Sequence, residues 1–261
     1  MGTDSTLLYA YLPLRVFFAS VQALEKGEGL SLELINLQHA VPERDYLYGL
    51  GLLREAFAQY EASVGIGPEM SKRAMPFFRE NSRQLVGPEV GMYILPLFGN
   101  PDLALEGDGP MVRLAFDYGQ LADHCLSENL FLFRRKYDRA FCLDNFLNQL
   151  GCEYDKVFFD EENTGFAADS RFFSLLCNAC LEVADPEESG RDEWRLVAFR
   201  RPEEVEYRCS GSMITPFTLI SVPAGCLCGV TLLSADPLLR GTLVGFLRKA
   251  GLPAERLLDL T

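Results

Sequence analysis

A long apolar stripe in the first quarter of the chain constrains the fold more than any other sequence feature. The stripe advances by four, three, four and three residues along Tyr46, Leu50, Leu53, Phe57 and Tyr60. That spacing marks one face of an amphipathic helix. Pro42 lies just upstream, and proline suits the first turn of a helix. We therefore predict a long helix here with one buried face.

Short strand-like runs occupy the last third of the chain. They are separated by turn residues and rich in β-branched and aromatic side chains. The runs are Trp194–Phe199, Val205–Cys209, Met213–Val222 and Gly229–Leu233. Asp236 and Pro237 then supply an N-cap and a favoured first helical residue, and Gly251 supplies a helix end. The region predicts an antiparallel or mixed sheet followed by one helix.

The first two thirds of the chain combine helical and strand-like patterns. A short first helix is predicted around Val16–Leu24. Two strand-like runs, Val90–Phe98 and Met111–Phe116, are separated by turn-rich sequence and could pair as antiparallel neighbours. A further short strand is predicted at Leu130–Phe133. Helical spacing marks Gln120–Glu128, Leu143–Leu150 and Ser170–Val183.

Length and composition favour a single folded unit. The chain has 261 residues, of which 48% are hydrophobic and 23% charged, values close to those of globular proteins. Because no internal repeat is visible, we predict one α+β domain over residues 1–261, with helices concentrated in the N-terminal half and the middle. Three prolines between Gly65 and Gly91 predict a broken helix or long loops, and a boundary near Pro88 is the alternative.

The charge balance excludes several classes of partner. A net charge of -13 disfavours passive binding to nucleic acid, which depends on clustered Lys and Arg. The basic strip Arg134–Lys136, with Arg139 after it, is interpreted as a solvated face. No apolar run approaches the roughly 20 residues of a membrane helix, and the N-terminus lacks the pattern of an export signal. We expect a cytoplasmic protein with no membrane partner.

Histidine and cysteine usage limits the available chemistry. The two histidines, His39 and His124, are too few for a multi-histidine metal centre, and both are interpreted as structural. The eight cysteines are expected to be reduced thiols, because a chain of this size does not need disulfides. Cys177 and Cys180 form a CxxC pair within an apolar helical run, where they are expected to be core residues. No metal site is predicted.

The segment Asp192–Arg195 is the most informative short sequence in the chain. If it begins a strand, a period of two places Glu193 and Arg195 on one face and Trp194 on the other. The Trp194 face is expected to be core. Glu193 and Arg195 would then face outward, as an exposed ion pair worth about 0–1 kcal/mol or as part of a functional site. A joint acid-base role for Asp192 and Glu193 is disfavoured because neighbouring strand residues point to opposite faces.

Several short motifs, taken in order, resemble one bacterial protein family. The chain opens with Leu8-Tyr9-Ala10-Tyr11-Leu12, continues with Ile35-Asn36-Leu37, Pro42-Glu43 and Tyr48-Gly49-Leu50, and closes with Asp192–Val197 and Thr215-Pro216-Phe217. Over nearly its whole length this order resembles the bacterial domain-of-unknown-function family 2971. That family's pattern is in turn similar to the pattern of ADP-ribosyltransferases.

The resemblance implies a fold and a candidate site. The implied fold is ADP-ribosyltransferase-like, with a mixed, mainly antiparallel split sheet that holds NAD. Glu193 is then the candidate catalytic residue, which would bind a ribose hydroxyl and stabilise positive charge at the anomeric carbon as nicotinamide leaves. Tyr9, Tyr11 and Arg195 are the candidate NAD-binding residues.

The chain also departs from the family pattern where polar contacts to NAD are expected. Ala10 stands where the family often has histidine, and Leu12 stands where it often has Thr or Ser. The family's Trp and Tyr-Gly motif is replaced by Leu103–Pro110. Each missing hydrogen bond removes about 0.5–1.5 kcal/mol of binding free energy.

Two functions follow from these matches and departures. The first is a degenerate family member that keeps the scaffold and binds a partner, here an unknown protein. The second is an NAD-consuming ADP-ribosyltransferase of toxin, defence or effector type that uses Glu193. NAD enters only as the substrate of this second function, and no other cofactor is assigned.

Overall fold

The protein has an α+β fold in which helices pack on a large curled sheet. The computed structural model describes residues 6–22, 29–66, 91–103, 109–158, 166–210, 213–234 and 236–252. Within these ranges the helices are α1 (Leu14–Gln22), α2 (Leu37–Ala40), α3 (Glu43–Ser63), α4 (Tyr118–Ser127), α5 (Arg139–Phe158), α6 (Phe166–Leu181) and α7 (Pro237–Lys249). The strands are β1 (Leu7–Pro13), β2 (Leu30–Asn36), β3 (Gly91–Phe98), β4 (Met111–Asp117), β5 (Phe131–Arg134), β6 (Glu193–Arg200), β7 (Glu206–Ser210), β8 (Met213–Val222) and β9 (Leu227–Leu233).

The sheet divides at β3. One edge of β3 pairs with β6 along its whole length, and β6 pairs in turn with β5. The other edge is shared, because β2 pairs at Tyr93 and Ile94 whereas β1 pairs at Phe98. Two branches therefore leave β3, one through β2, β8 and β7 and the other through β1, β4 and β9. Every pairing between these strands is antiparallel, so the predicted α+β class with a mainly antiparallel sheet is confirmed.

Two hydrophobic cores lie on opposite faces of the sheet. The first core takes side chains from both branches and packs against α1, α4 and α7, with Leu8, Leu34 and Leu196 among its fully buried members. The second core joins β3 and β6 to α3, α5 and α6, and includes Ile94 and Val197. Since β3 and β6 have a core on each face, polar side chains on these strands are held away from water.

The sequence determines the positions of the helices through apolar stripes and caps. The stripe predicted from Tyr46 onward lies on α3, which begins at Glu43 after Pro42 and runs to Ser63. Asp236 accepts hydrogen bonds from the backbone N–H groups of the first turn of α7, as an N-cap does. Asp117 caps α4 in the same way.

The structure corrects one expectation about the strands and adds one strand. β3 and β4 are not neighbours, because β1 lies between them: Tyr9 is paired with Phe98 on one side and Ala115 on the other. The strand β2 was not predicted, although Leu30, Leu32 and Leu34 alternate with polar residues and are all buried. The broken helix or loops expected between Gly65 and Gly91 fall almost entirely outside the described residues.

Within the described ranges, no helix has the length and apolar character required to cross a membrane. The same part of the chain contains no group of three or more His, Cys, Asp or Glu residues arranged to hold a metal ion.

Candidate functional site

Glu193, the candidate catalytic residue, is the first residue of β6 and is buried. Its side chain lies on the face of the sheet that α3, α5 and α6 cover, together with Arg195 and Val197, as the period of two requires. Glu193 is 2% exposed and Arg195 is fully buried. The prediction that the two share a face is therefore correct, but the prediction that they point outward is wrong. Three helices from other parts of the chain cover that face.

The two residues belong to a buried network of four charges. The Arg195 Nε donates to Glu193 Oε1 at 2.9 Å, and the Arg135 Nη1 lies 3.5 Å from the same oxygen. Asp45, at the start of α3, is also buried, and its Oδ2 lies 4.0 Å from Arg195 Nη2. With two guanidinium groups and two carboxylates, the network is formally neutral. Neutral pairing is the condition under which buried charges are tolerated.

Backbone carbonyl groups hold the two guanidinium groups in place. Arg195 Nη1 donates to the Cys180 carbonyl oxygen on α6 at 2.8 Å, and Arg135 Nη2 donates to the Val183 carbonyl oxygen at 2.7 Å. Arg135 lies directly across from Glu193, because its backbone N–H donates to the Glu193 carbonyl oxygen. The network therefore joins β6, the end of β5, α3 and the end of α6 in one buried layer.

The network is not fully hydrogen-bonded. Arg135 Nε and Nη1 and Arg195 Nη2 are buried and have no hydrogen-bond acceptor among the described residues. The Glu193 backbone N–H donates to the Tyr137 hydroxyl oxygen at 2.9 Å, so Tyr137 is also part of the network. Burial raises the pKa of the Glu193 carboxyl, and the Arg135 guanidinium acts against that rise. Because two arginines that stay charged contact it, we infer that Glu193 is ionised at neutral pH.

A separate set of charged residues surrounds the network at the surface. Arg134 forms an exposed ion pair with Asp192 at 3.0 Å, next in sequence to the buried pair. Arg191 contacts Glu188 at 3.3 Å, and its guanidinium stacks over the Phe98 ring. These contacts are solvent-screened, and so they are worth much less than the buried ones.

Tyr9 and Tyr11 share the Glu193 face of the sheet without contacting the carboxylate. Phe98 is the cross-strand partner of both Glu193 and Tyr9, so these three residues form one row across β6, β3 and β1. The Tyr11 hydroxyl donates to the Pro101 carbonyl oxygen at 2.7 Å. Arg113 Nη1 donates to the same oxygen, and its guanidinium stacks over the Tyr9 ring. Tyr11 directly, and Tyr9 through Arg113, thus contact the turn after β3.

Trp194 lies on the opposite face, as predicted, but it is not deeply buried. It packs at the edge of the first core and contacts Tyr118 and the Arg134 guanidinium. The fully buried members of its face are Leu196 and Ala198. These two residues anchor β6 in the first core.

Sequence reasoning missed three members of the network, namely Asp45, Arg135 and Tyr137. Arg135 was assigned to a solvated face with Arg134 and Lys136, yet its side chain is inaccessible while that of Arg134 is 63% exposed. The alternation of Phe131 and Phe133 with Leu132 carried a signal, because it places Arg135 on the same face as the two phenylalanines. Asp45 had no comparable signal, since only the tertiary packing of α3 brings it to β6.

The histidines and the CxxC pair do not contribute a second site at the network. His124 Nε2 bonds the Ser221 carbonyl oxygen at 2.8 Å and so links α4 to β8, whereas His39 is exposed at the end of α2. Cys177 and Cys180 are buried on α6, and burial raises the pKa of Cys180 to about 12. A thiol with such a pKa is neither a nucleophile nor a ready metal ligand at neutral pH.

The contacts of Glu193 favour a structural role for this residue over a catalytic one. A carboxylate acts on a ribose only if an oxygen can approach the sugar within hydrogen-bonding distance. One oxygen of Glu193 is occupied by Arg195 and Arg135, and the whole side chain is nearly inaccessible. Comparisons with protein-family models, curated proteins and solved structures found no match to this chain.

Proposed function

We propose that the protein is a non-catalytic binding protein that keeps an ADP-ribosyltransferase-like scaffold and recognises a protein partner. One observation carries the proposal: the Glu193 carboxylate is buried and engaged by Arg195 and Arg135. The departures at Ala10 and Leu12 support it, because both are apolar core residues of β1 and offer no polar group to a dinucleotide. On this proposal the protein acts in the cytoplasm.

The surface we assign to the partner is the β7–β8 hairpin. β7 is at one end of the sheet, and among the described residues it pairs only with β8. Large apolar side chains on the hairpin are exposed, including Tyr207 (58%) and Ile214 (61%). An edge strand with unpaired backbone groups can accept an extended segment of another chain.

The charge of the chain selects among possible partners. Glu203, Glu204 and Glu206 are exposed just before or at the start of β7, where Arg200, Arg201 and Arg208 balance them, but the whole chain carries a net charge of -13. Complementary charge steers association and suppresses binding of like-charged partners. The proposed partner therefore presents an extended, basic segment with apolar side chains for Tyr207 and Ile214.

This function is tested with affinity capture from the native host. We expect wild-type protein to capture a defined protein, and a double Tyr207→Ser and Ile214→Ser variant to lose it. Leu238→Ser is the matched control, since Leu238 is 78% exposed and belongs to α7, not to the hairpin. Capture that is equal for all three proteins, or lost equally in both variants, would contradict the assigned surface.

A second candidate function is NAD-consuming ADP-ribosyl transfer by Glu193, and the row Glu193, Phe98 and Tyr9 favours it. These residues lie side by side on one face at the divide of the sheet. This function requires NAD to be consumed by the wild type, and Glu193→Gln to abolish turnover with little change in melting temperature. Our proposal instead expects millimolar NAD to produce neither a thermal shift nor turnover.

A further inference from the structure

A cavity of about 420 Å³ lies at the opposite end of β6 from Glu193. It opens between α4, the end of β6 and the second half of β8. Its walls include His124, Glu128, Leu130, Arg200, Leu219 and Ile220. Arg200 is the last residue of β6 and Glu193 is the first, so the two are roughly 23 Å apart at the rise of a strand. The cavity is therefore separate from the buried charge network.

The cavity carries one cationic and one anionic side chain on a wall that is partly polar and partly apolar. Arg200 is half-buried, and its Nη1 donates to the Phe199 carbonyl oxygen at 3.1 Å, which orients the guanidinium. A guanidinium is suited to binding a carboxylate by paired hydrogen bonds. Glu128 is the C-cap of α4. Its carboxylate and the negative end of the helix dipole both favour a cationic group.

Aliphatic side chains supply the apolar part of the wall. Leu130 and Ile220 are 5% and 6% exposed, so they are fixed in the core and present apolar surface to the cavity. His124 ties α4 to β8 through its Nε2 and the Ser221 carbonyl oxygen. Because a carbonyl can only accept, Nε2 carries the proton and Nδ1 is an acceptor when the ring is neutral. The volume is within the range of roughly 300–1,000 Å³ typical of sites for small molecules.

We propose that this cavity binds a small zwitterion with an apolar side chain, of the class of the aliphatic α-amino acids. Arg200 binds the carboxylate, Glu128 and the end of α4 bind the ammonium group, and Leu130 and Ile220 contact the aliphatic side chain. This proposal is independent of the partner assigned to the β7–β8 hairpin.

The test measures binding of L-leucine to the full chain by ligand-observed NMR and calorimetry. We expect a dissociation constant below roughly 10 mM. L-leucinamide, which lacks the carboxylate, and 4-methylpentanoate, which lacks the amine, should each bind at least tenfold more weakly. Arg200→Met and Glu128→Gln should each weaken L-leucine binding at least tenfold. Arg54→Met, an exposed site on α3, is the control and should bind as the wild type does.

Three results would overturn the proposal. The first is the absence of L-leucine binding to the wild type at roughly 10 mM. The second is equal binding of all three ligands, which would mean that the charged groups are not recognised. The third is unchanged binding in Arg200→Met, with circular dichroism confirming that the variant is folded. None of these results bears on the capture of a partner by the hairpin, which is tested separately.

Discussion

At the scale of single residues, burial distinguishes two arginines that are close in the sheet, across the β5–β6 pairing, and similar in contacts. Arg195 and Arg134 each pair with a carboxylate near the start of β6. The Arg195 side chain is inaccessible, however, whereas that of Arg134 is 63% exposed. Removing one partner of a buried pair leaves an uncompensated charge, which costs far more than removing one partner of a surface pair.

We therefore predict opposite outcomes for two matched substitutions. Arg195→Met should lower the free energy of unfolding by about 3–5 kcal/mol, since Glu193 then lacks its closest partner. Arg134→Met should change it by less than about 1 kcal/mol. Urea denaturation followed by circular dichroism measures both. Equal losses would mean that Glu193 and Arg195 do not form a buried pair in solution.

Single residues also show which features of the site can be predicted from the sequence and which cannot. The period of a strand correctly placed Glu193 with Arg195 and Trp194 opposite them. The strand period could not predict that the pair is buried. The groups that cover the pair, Asp45 on α3 and the Cys180 carbonyl on α6, come from other parts of the sequence. Because the covering helices are not visible in the local sequence, the pair was interpreted as outward-facing.

At the scale of elements, the packing of α3 on α6 depends on a glycine. A Cβ added at Gly49 would lie 1.8 Å from the Ala179 carbonyl oxygen on α6, a distance that the backbone cannot tolerate. A Cβ added at Gly51, on the exposed side of the same helix, would contact nothing within 4 Å. The two glycines thus form a natural comparison within one element.

Gly49→Ala and Gly51→Ala are predicted to change stability in opposite directions. Gly49→Ala should destabilise the protein by about 1–3 kcal/mol or more, because α3 and α6 must separate. Gly51→Ala should stabilise it by about 0.5–1 kcal/mol, since alanine is the better helix former. Thermal melting of both variants tests the contact. A stabilising effect of Gly49→Ala would contradict the close approach of these helices.

Elements were predictable where their signal is local. The apolar stripe of α3 and the Asp236 cap of α7 are encoded within a few residues, and both predictions are confirmed. The pairing of β3 and β4 was predicted from their proximity in sequence, and it is wrong because β1 inserts between them. Strand order in a sheet is a tertiary property that short-range patterns do not specify.

At the scale of the whole molecule, two cores on opposite faces of one sheet determine which side chains can react. Five of the eight cysteines are buried, and Cys152, Cys209 and Cys228 are exposed. Burial and the neighbouring Cys226 raise the pKa of Cys125 to about 11. Since the thiolate is the reactive form, buried thiols of this kind are unreactive at pH 8.

We predict that N-ethylmaleimide modifies three thiols rapidly in the folded protein and the other five only after unfolding. Intact mass measured over time counts the modified thiols, and a sample in strong denaturant gives the full count. Rapid modification of all eight without denaturant would contradict the two-core arrangement.

The split sheet is the part of the whole-molecule prediction that rested on resemblance. Composition and strand patterns gave the α+β class, whereas a split sheet was implied only by the similarity to ADP-ribosyltransferases, without a position for the division. It arises because β1 and β2 both use one edge of β3, at Phe98 and at Tyr93 and Ile94. The helix α1 connects these strands and packs in the first core between the branches.

The central claim is that Glu193 stabilises the fold and does not act on a substrate, and the melting temperature of Glu193→Gln tests it most directly. Gln keeps the volume of Glu but leaves Arg195 and Arg135 buried without their shared anion. We expect a loss of about 3–5 kcal/mol, as for Arg195→Met, which lowers the melting temperature by roughly 6–20 °C. A variant that melts at the wild-type temperature would contradict the claim, because it would show that this buried carboxylate is not needed for stability.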